Sequence, residues 1–476
     1  MTTNVKQVIS GQDLVDAGYK QGNWFRHALN AANEVLRGGG SWDEGMEAVK
    51  PYVPGPIIPI RPHGETPFFM NIDIEQEDER ENVEKVQHTM TVLMRTPVLK
   101  AGAVMPDACP AGPPGTIPVG GVVASEGIHP GMHSADICCS MAISVMPGIS
   151  PKALLDAVHQ ITHFGPGGRE RGKQVPLPDD VTKRFETNAL LRDGLSGARD
   201  HFATQGDGNH FAYVGTLKST GDTALVTHHG SRGPGARLYE KGMKLAEQHR
   251  RDVSPETLPQ NAWIKGDSAD GEAYWDALQA VRLWTKANHF SIHDMAANVV
   301  SSKIRDRFWN EHNFVFRKSD GLFYHGKGAT PAFNGWADDA TDFTIIPLNM
   351  SEPILIARGS NAAHGLGFSP HGAGRNFSRT RHIANLGGRD IVDVFAEETR
   401  GLDARFFSGI VDASELPSAY KNAASVRRQI ESYKLAEIVD EIIPYGTIMA
   451  GDWQANAPWR IRKKKRRAER AASERQ

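Results

Sequence analysis

The chain has 476 residues, in which 54 lysines and arginines nearly balance 56 aspartates and glutamates. This balance excludes nucleic-acid binding through an overall basic field and leaves local patches as its only source. No apolar run approaches the roughly 20 residues that a membrane-spanning helix needs, and the first residues lack the apolar core of a signal peptide. Cys109 and the adjacent pair Cys138 and Cys139 are the only cysteines. Because neighbouring cysteines do not readily pair, we expect reduced thiols and a cytoplasmic location.

The first fifty residues are predicted to form a helical N-terminal extension. Apolar residues recur there at nearly helical spacing, and the glycines at 38–40 end the pattern. The apolar positions are Leu14, Val15, Trp24, Phe25, Ala28, Leu29, Ala32 and Val35. Residues 51–89 begin with PYVPGPIIPIRPHGETP, whose prolines and glycines exclude regular helix. We expect this stretch to be a linker or an extended segment.

Residues 90–455 are predicted to form one large catalytic domain of the α+β (mixed α/β) class. Runs typical of strands, TVLMRTPVL, TALVTHHG, DFTIIPL and EPILIARG, alternate with helical stretches such as DALQAVRLWTKANHF. The last residues, 456–476, form a basic tail with few apolar side chains. This tail is either solvated or in contact with the phosphates of a nucleic acid.

Four distant glycine-rich segments carry side chains that bind transition metals. They contain Asp136 and Cys139 in DICC, His210 in GNHF, His228 in HHGSRG, and His312 in EHN. A thiolate, a carboxylate and several imidazoles suit a divalent ion of the zinc, manganese or iron group. Cys139 follows Asp136 by three positions, so a turn can bring both to one centre. Taken alone, Cys139 also fits a small buried apolar position, and each histidine an ordinary core or surface position.

A fifth segment, SPHGAGR, places His371 directly before small residues and four positions before Arg375. Backbone amides at small residues can approach a phosphate, and arginine can bind one. A neutral imidazole can attack an α-phosphate when cations and arginine offset the developing charge. His371 is therefore a candidate nucleophile, although a glycine-rich turn with an incidental histidine has the same pattern.

His289 and His293 are four residues apart in a helical stretch, a spacing that can bind a metal on one helix face. No HExxH pattern accompanies them, and the apolar residues beside them share that helix face. We expect a core helix here and no metal site.

The segments DICC, DGNHF, HHGSRGPG, EHNF, GKGAT and HGAGR occur in the same order as the motifs of the RtcB family of RNA-splicing ligases. The resemblance extends from Met105 to Lys421 and includes VMPD, which ends at Asp107, and PSAYK. It implies two manganese ions, with Cys139 as the bridging ligand. Asp136 and His210 would complete the first site, and His228 and His312 the second. His229 stands where the family usually has serine or threonine, so His228 is the expected ligand.

The resemblance further implies that His371 becomes guanylylated by GTP and passes the guanylyl group to an RNA 3′-phosphate. A 5′-hydroxyl end would then attack the activated phosphate, and a 2′,3′-cyclic phosphate would first be opened by water. The expected partner is therefore RNA with these ends. The nucleotide would be bound by eight residues: Asn209, Asn313, Pro347, Asn349, Gly372, Ala373, Gly374 and Arg375.

The chain departs from the family at positions that contact guanine. Tyr213 replaces a glutamate, Asn349 a serine, and Ala450 the lysine before the final glycine. These changes suggest one alternative, a non-catalytic homologue that retains the metals and binds RNA ends without using GTP. A second alternative is a metal-dependent phosphodiesterase, which would need the metal ligands but not His371 as a nucleophile.

Overall fold

The computed structural model describes residues 8–22, 24–332 and 335–452. Three helices form the N-terminal extension: α1 (Gly11–Asp16), α2 (Phe25–Arg37) and α3 (Trp42–Glu47). Ser10 and Ser41 cap α1 and α3, each in a reciprocal pair with an acidic residue three positions on. The apolar residues of the extension pack into a cluster of their own. The expected basic tail at 456–476 lies outside the described residues.

Residues 51–89 are not an extended segment throughout. No helix or strand occurs from Val53 to Pro67, but α4 (Glu77–Leu93) then fills the second half of the predicted linker. Val83, Val86 and Met90 follow helical spacing and pack against the first large sheet. The expected domain start at residue 90 therefore falls inside a helix that belongs to the catalytic body. The strand expected at residues 91–99 is also wrong, because α4 continues to Leu93.

The first large sheet has five strands in the order β1-β2-β3-β11-β10, and only the β1–β2 pair is parallel. A two-stranded pair, β4 and β8, lies outside both large sheets, and β12 pairs with β15 in another. The bounds of these strands are β1 (Phe68–Met70), β2 (Leu99–Cys109), β3 (Val119–Ser125), β4 (Gly127–Ile128), β8 (Ile264–Lys265), β10 (Asn313–Arg317), β11 (Phe323–Lys327), β12 (Ala329–Pro331) and β15 (Phe368–Pro370).

The second large sheet has the order β13-β14-β17-β6-β7-β5-β9, with β16 paired parallel to β17. Its strands include the runs TALVTHHG, DFTIIPL and EPILIARG, which form β7, β13 and β14 as expected. The bounds are β5 (Ser140–Met146), β6 (Phe211–Leu217), β7 (Thr223–His229), β9 (Asp306–Glu311), β13 (Phe343–Ile346), β14 (Ile354–Gly359), β16 (Asp403–Phe406) and β17 (Ala436–Met449).

The remaining helices surround these sheets and confirm the predicted α+β class. The helix expected from DALQAVRLWTKANHF forms the middle of α9, which is buried along much of its length. None of the helices in the described part of the chain has both the length and the apolar character to cross a membrane. The bounds are α5 (Pro151–Ile161), α6 (Asp179–Thr187), α7 (Leu195–Asp200), α8 (Arg232–Val253), α9 (Ala269–Val299), α10 (Arg379–Asn385), α11 (Ile391–Glu398) and α12 (Ala423–Ser432).

Candidate metal and nucleotide site

The predicted metal ligands meet at one end of four neighbouring strands. Cys139 directly precedes β5 and His210 directly precedes β6. His228 lies at the end of β7, opposite the first residue of β6. His312 follows β9, whose last residue pairs with the first residue of β5. Because these strands are antiparallel, the beginnings of β5 and β6 lie beside the ends of β7 and β9.

The ligands form two groups that share Cys139. Asp136, Cys139 and His210 form one group, and Cys139, His228 and His312 the other; within each group the ligand atoms lie within 4.8 Å of one another. The Cys139 sulfur lies 3.6 Å from Nε2 of His210 and 3.2 Å from Nε2 of His228. Oδ2 of Asp136 lies 3.1 Å from Nε2 of His210. The sequence prediction of one shared thiol between two ligand sets therefore matches the arrangement of the side chains.

Backbone carbonyls fix the orientation of two of the histidines. Nδ1 of His210 faces the carbonyl oxygen of Gln205 at 2.7 Å, and Nδ1 of His228 faces that of Asn209 at 3.1 Å. Nδ1 therefore donates in each ring, and Nε2 keeps a lone pair that faces the shared sulfur. Nε2 of His228 also lies 3.1 Å from Nε2 of His312. Nε2 of His228 therefore faces both the shared sulfur and the His312 ring, an arrangement in which these atoms can bind one cation together.

The electrostatics of the ligands agree with a cation site. Burial lowers the pKa of His228 to about 3 and that of His312 well below its usual range. Burial raises the pKa of Asp136, but the adjacent His210 outweighs it and leaves the pKa at about 2. Burial also raises the pKa of the Cys139 thiol, with Asp136 as the second cause. The imidazoles of His228 and His312 are therefore neutral, and a divalent cation would stabilise the thiolate that binding requires.

His371 lies beside the second ligand group. The ring centroids of His371 and His312 are 4.7 Å apart. Asp107, near the end of β2, is fully buried, and its Oδ2 accepts hydrogen bonds from Nδ1 of His371 at 2.6 Å and from its backbone N–H at 3.2 Å. This contact leaves Nε2 of His371 with a lone pair. The sequence analysis matched Asp107 to a family motif but assigned it no role, and the contact joins residues 264 positions apart.

A cavity of about 300 Å³ contains the predicted nucleotide-binding residues. His371 and all the metal ligands except His210 also line it. Gly374 has a φ of +71°, and a Cβ there would overlap the backbone carbonyl of Asp107, so only glycine fits this turn. The nucleotide-binding residues that line the cavity are Asn209, Asn313, Pro347, Asn349, Gly372, Ala373, Gly374 and Arg375.

Arg375 and Asn313 are held in place by neighbouring groups. The Arg375 guanidinium donates to Oε2 of Glu415 at 2.8 Å and lies over the Tyr420 ring, 4.5 Å from its centroid. Oδ1 of Asn313 accepts from the backbone N–H of Gly328 at 2.8 Å. Glu415 offsets part of the charge that Arg375 presents to the cavity, while the planar guanidinium keeps a fixed direction.

The positions expected to contact guanine are engaged elsewhere or turned away. The hydroxyl of Tyr213 donates to the carbonyl oxygen of Ile442 at 2.9 Å. Oδ1 of Asn349 accepts from the backbone N–H of Ser351 at 2.9 Å. Ala450 packs in an apolar cluster with Leu154 and does not line the cavity. None of the three positions presents a carboxylate or an amine to a base.

Lys327, in the motif GKGAT, is a cavity residue that the sequence analysis did not single out. It lines the cavity together with Cys109, and burial lowers the pKa of its amine to about 8. Within the described ranges its amine has neither a hydrogen-bond nor an ion-pair partner. The four preceding strand residues are all buried, so no alternation of buried and exposed positions indicates that this amine faces the cavity.

His289 and His293 belong to the core, as expected. Both are fully buried on α9, and Thr227 Oγ1 lies 2.7 Å from Nδ1 of His289 and 2.8 Å from Nε2 of His293. Nε2 of His289 also lies 3.0 Å from Oγ of Ser140. These contacts support the strand positions next to Cys139 and His228 rather than a separate metal site.

The chain is similar in sequence to several known proteins. A family model described as "tRNA-splicing ligase RtcB" matches residues 172–450. The Archaeoglobus fulgidus tRNA-splicing ligase RtcB is 24% identical, with 85% of this chain and 97% of the relative covered. The Escherichia coli K12 RNA-splicing ligase RtcB is also 24% identical, over 69% of this chain and 85% of the relative. The Methanocaldococcus jannaschii relative is 25% identical over 52% of this chain, which spans only 30% of that relative's length.

Proposed function

The chain belongs to the RtcB family, whose model matches more than half of it, and on this premise we propose that it is a metal- and GTP-dependent RNA ligase. The reaction joins an RNA 3′-phosphate or 2′,3′-cyclic phosphate to a 5′-hydroxyl. One observation carries the proposal: two ligand groups that share Cys139 lie in the same cavity as His371. A nucleophile and two cation sites in one cavity suit successive phosphoryl-transfer steps.

The ligand atoms fit two divalent cations of the manganese type. Asp136, Cys139 and His210 would hold the first, and Cys139, His228 and His312 the second. Mixed sulfur, nitrogen and oxygen ligands are typical of first-row transition metals, and the neutral imidazoles of His228 and His312 need no deprotonation before binding. When bound, such ions polarise phosphoryl oxygens and offset the charge of the transition state.

His371 acts as the nucleophile toward GTP. Asp107 holds the proton on Nδ1, so the lone pair of Nε2 is free to attack the α-phosphate. A nitrogen–phosphorus bond forms while the bond to the β-phosphate oxygen breaks, and pyrophosphate leaves. Asp107 also stabilises the positive charge that develops on the imidazole during this attack.

The guanylyl group then passes to the RNA. An oxygen of the RNA 3′-phosphate attacks the phosphorus, the bond to Nε2 breaks, and His371 becomes neutral again. The 5′-hydroxyl attacks the activated 3′-phosphate and GMP leaves. Asn209, Asn313 and Arg375 bind phosphate oxygens, and the tight turn at Gly372 and Gly374 brings backbone amides toward them. Water opens a cyclic phosphate to the 3′-phosphate before these steps.

The guanine-contacting positions favour a second candidate function. Tyr213 and Asn349 use polar atoms within the protein, and Ala450 lies in an apolar cluster. A homologue that binds metals and RNA ends without using GTP would show these features. The phosphodiesterase alternative rests on the metal ligands alone.

Incubation with manganese and GTP labelled at the α-phosphate, followed by denaturing electrophoresis, separates these functions. The ligase predicts an acid-labile label on the wild-type protein and none on His371→Ala. The matched control is His63→Ala, an exposed histidine far along the chain from the site, which should label like the wild type. His371→Ala should still join RNA ends that already carry the guanylyl group, because that step does not use the nucleophile. Undiminished labelling of His371→Ala would remove this assignment.

A further inference from the structure

Two partly buried arginines near the metal ligands have no ion-pair partner among the described residues. Nη2 of Arg232, the first residue of α8, donates to the carbonyl oxygens of Gly165 at 2.9 Å and Gly167 at 3.0 Å. Nη2 of Arg169 donates to the carbonyl oxygen of Ala203 at 2.7 Å. In the part of the chain that the structure describes, neither guanidinium forms an ion pair. The hydrogen-bond acceptors that the structure describes for both guanidinium groups are neutral oxygen atoms.

A third, partly buried arginine differs from these two because carboxylates neutralise its charge. Arg282 on α9 donates to Glu311 and, at 2.6 Å, to Asp339. Burial lowers the pKa of Arg282, but these carboxylates outweigh it and raise the pKa above its usual range. Burial also lowers the pKa of Arg169 and of Arg232. At Arg232 the charges of Asp207 and Asp136 offset part of this effect, but neither carboxylate forms an ion pair with the guanidinium, and its pKa stays below the usual range. An uncompensated buried charge is unfavourable, and an anionic ligand relieves it.

Arg169 opens onto a surface groove of about 420 Å³, which we call the arginine groove. Arg171 also lines it and has no hydrogen-bond or ion-pair partner among the residues described. The one acidic residue in the wall, Asp200, accepts a hydrogen bond from Gln174. Positive charge therefore exceeds negative charge in the groove. Its wall consists of Gly168, Arg169, Arg171, Gln174, Asp200 and His201.

His201 adds a neutral donor to the arginine groove. Its Nδ1 accepts from the backbone N–H of Gly233 in the first turn of α8, at 3.3 Å. Burial lowers the pKa of His201 to about 4, so the ring is neutral at physiological pH. The proton must then lie on Nε2, which has no partner within the described ranges. This N–H is suited to a phosphate oxygen.

The arginine groove adjoins the metal ligands through Arg232. A Cβ at Gly206 would touch Nη1 of Arg232 on one side and Nδ1 of His210 on the other. The backbone of Gly165 also pairs with Gly206, so the loop that carries Arg169 lies against the segment that leads to His210. The loop that forms the groove therefore lies next to the segment that carries a ligand of the first metal group.

Resting on the proposed function, we infer that the arginine groove binds the phosphodiester backbone of the RNA strand whose end reaches the metal ligands. Two arginines and a histidine N–H recognise phosphate oxygens without contacting bases. Proteins that bind single-stranded RNA without sequence preference use such positively charged grooves along the backbone. The inference places an RNA contact on loop residues that the family resemblance did not assign.

Arg171→Glu and Arg171→Ala test this contact in the full-length protein. Arg171 is exposed and forms no hydrogen bond or ion pair with a described residue, so its replacement should not disturb the fold. The matched control is Lys183→Glu on α6, an exposed charge outside the groove. Binding of a labelled single-stranded RNA of about 12 nucleotides, with a 3′-phosphate and a 5′-hydroxyl, is measured over a range of salt concentrations. We expect Arg171→Glu to weaken binding at least tenfold, with the slope against salt reduced by about 0.7 for the lost contact.

Two further measurements make the result decisive. We expect a dinucleotide with a 3′-phosphate to be too short to reach both the metal ligands and the arginine groove. Arg171→Glu should therefore bind it as the wild type does. The groove assignment would be overturned if Arg171→Glu lost affinity equally for both RNAs. It would also be overturned if this variant bound the longer RNA with an unchanged slope against salt. Labelling by GTP is followed in the same variants and should persist. If the wild type never labels, the ligase proposal fails, while the salt slopes still decide the role of the groove.

Discussion

Two ends of the cavity differ in whether their side chains are free to bind a ligand. The predicted metal ligands form the metal end, and the positions expected to contact guanine mark the base end. At the metal end, the shared sulfur and the histidine nitrogens of each ligand group lie within 4.8 Å of one another. At the base end, Tyr213 and Asn349 are bonded to the backbone and Ala450 faces an apolar cluster. The chain thus has the side chains that the proposed reaction uses on phosphates, while positions 213, 349 and 450 offer none of the groups expected to identify guanine.

This difference has a physical reason. Side chains that hold two cations and a nucleophile must agree in distance and direction to within fractions of an ångström, so a single change affects the whole group. A base edge is recognised by separate hydrogen bonds, and each can be lost without disturbing the phosphate contacts. Changes at the two ends should therefore have very different effects.

The largest expected effect is that of Cys139→Ala. Because both ligand groups use this sulfur, its removal should lower the metal content of the purified protein from two ions to fewer than one and abolish GTP labelling. Elemental analysis of metal per chain measures this. Cys138→Ala is the matched control, since Cys138 is equally buried but belongs to neither ligand group. Two ions per chain in Cys139→Ala would exclude this cluster as the metal site.

A smaller effect is expected at Asp107. Asp107→Asn keeps an oxygen that can accept from His371 but removes the negative charge, so labelling of His371 should slow by about 100-fold. Metal content should be unchanged because Asp107 is in neither ligand group. The rate of label incorporation under single-turnover conditions is the measurement. A wild-type rate would show that the 2.6 Å contact does not position the nucleophile.

At Gly374 we expect a weaker effect that separates the turn from the metals. Gly374→Ala places a Cβ against the carbonyl of Asp107 at a positive φ, which costs roughly 1–2 kcal/mol. The turn must shift, so the apparent affinity for GTP should fall about tenfold, the change that 1.4 kcal/mol produces. Gly372→Ala, where a Cβ meets only the Pro347 carbonyl at 3.1 Å, should have less effect. Equal affinities of both variants would mean that the turn does not contact the nucleotide.

The sequence predicted some parts of the molecule and missed others for identifiable reasons. Asp136 and Cys139 share one short segment, so local spacing was enough to place them at one centre. The partnership of Asp107 with His371 depends on how β2 meets a turn 264 positions later, which no local pattern shows. Helix α4 was missed because the proline-rich stretch before it was extended too far along the chain. No local pattern distinguishes Arg169 and Arg232 from ordinary surface arginines, and only the structure shows that neither forms an ion pair with a described residue.

The smallest expected effect concerns the choice of nucleotide. Guanine offers donors at N1 and N2 and an acceptor at O6. Tyr213 donates its only hydroxyl proton to Ile442, and Ala450 has no polar atom. Strong discrimination arises when a polar pocket group would be left unpaired by the wrong substrate. The groups that bind phosphates, such as Arg375, do not distinguish bases. The cavity should therefore favour GTP over ATP only weakly.

Labelling of the wild-type protein with each of the four nucleoside triphosphates, at equal concentration and with manganese present, measures this preference. We expect the rate with ATP to lie within about tenfold of that with GTP, because a larger ratio requires more than about 1.4 kcal/mol of base-specific contact. Tyr213→Phe should leave the ratio unchanged, since the hydroxyl faces Ile442 and not the base. Strict use of GTP would require a guanine contact from residues other than positions 213, 349 and 450, and the contrast between the two ends of the cavity would then be wrong.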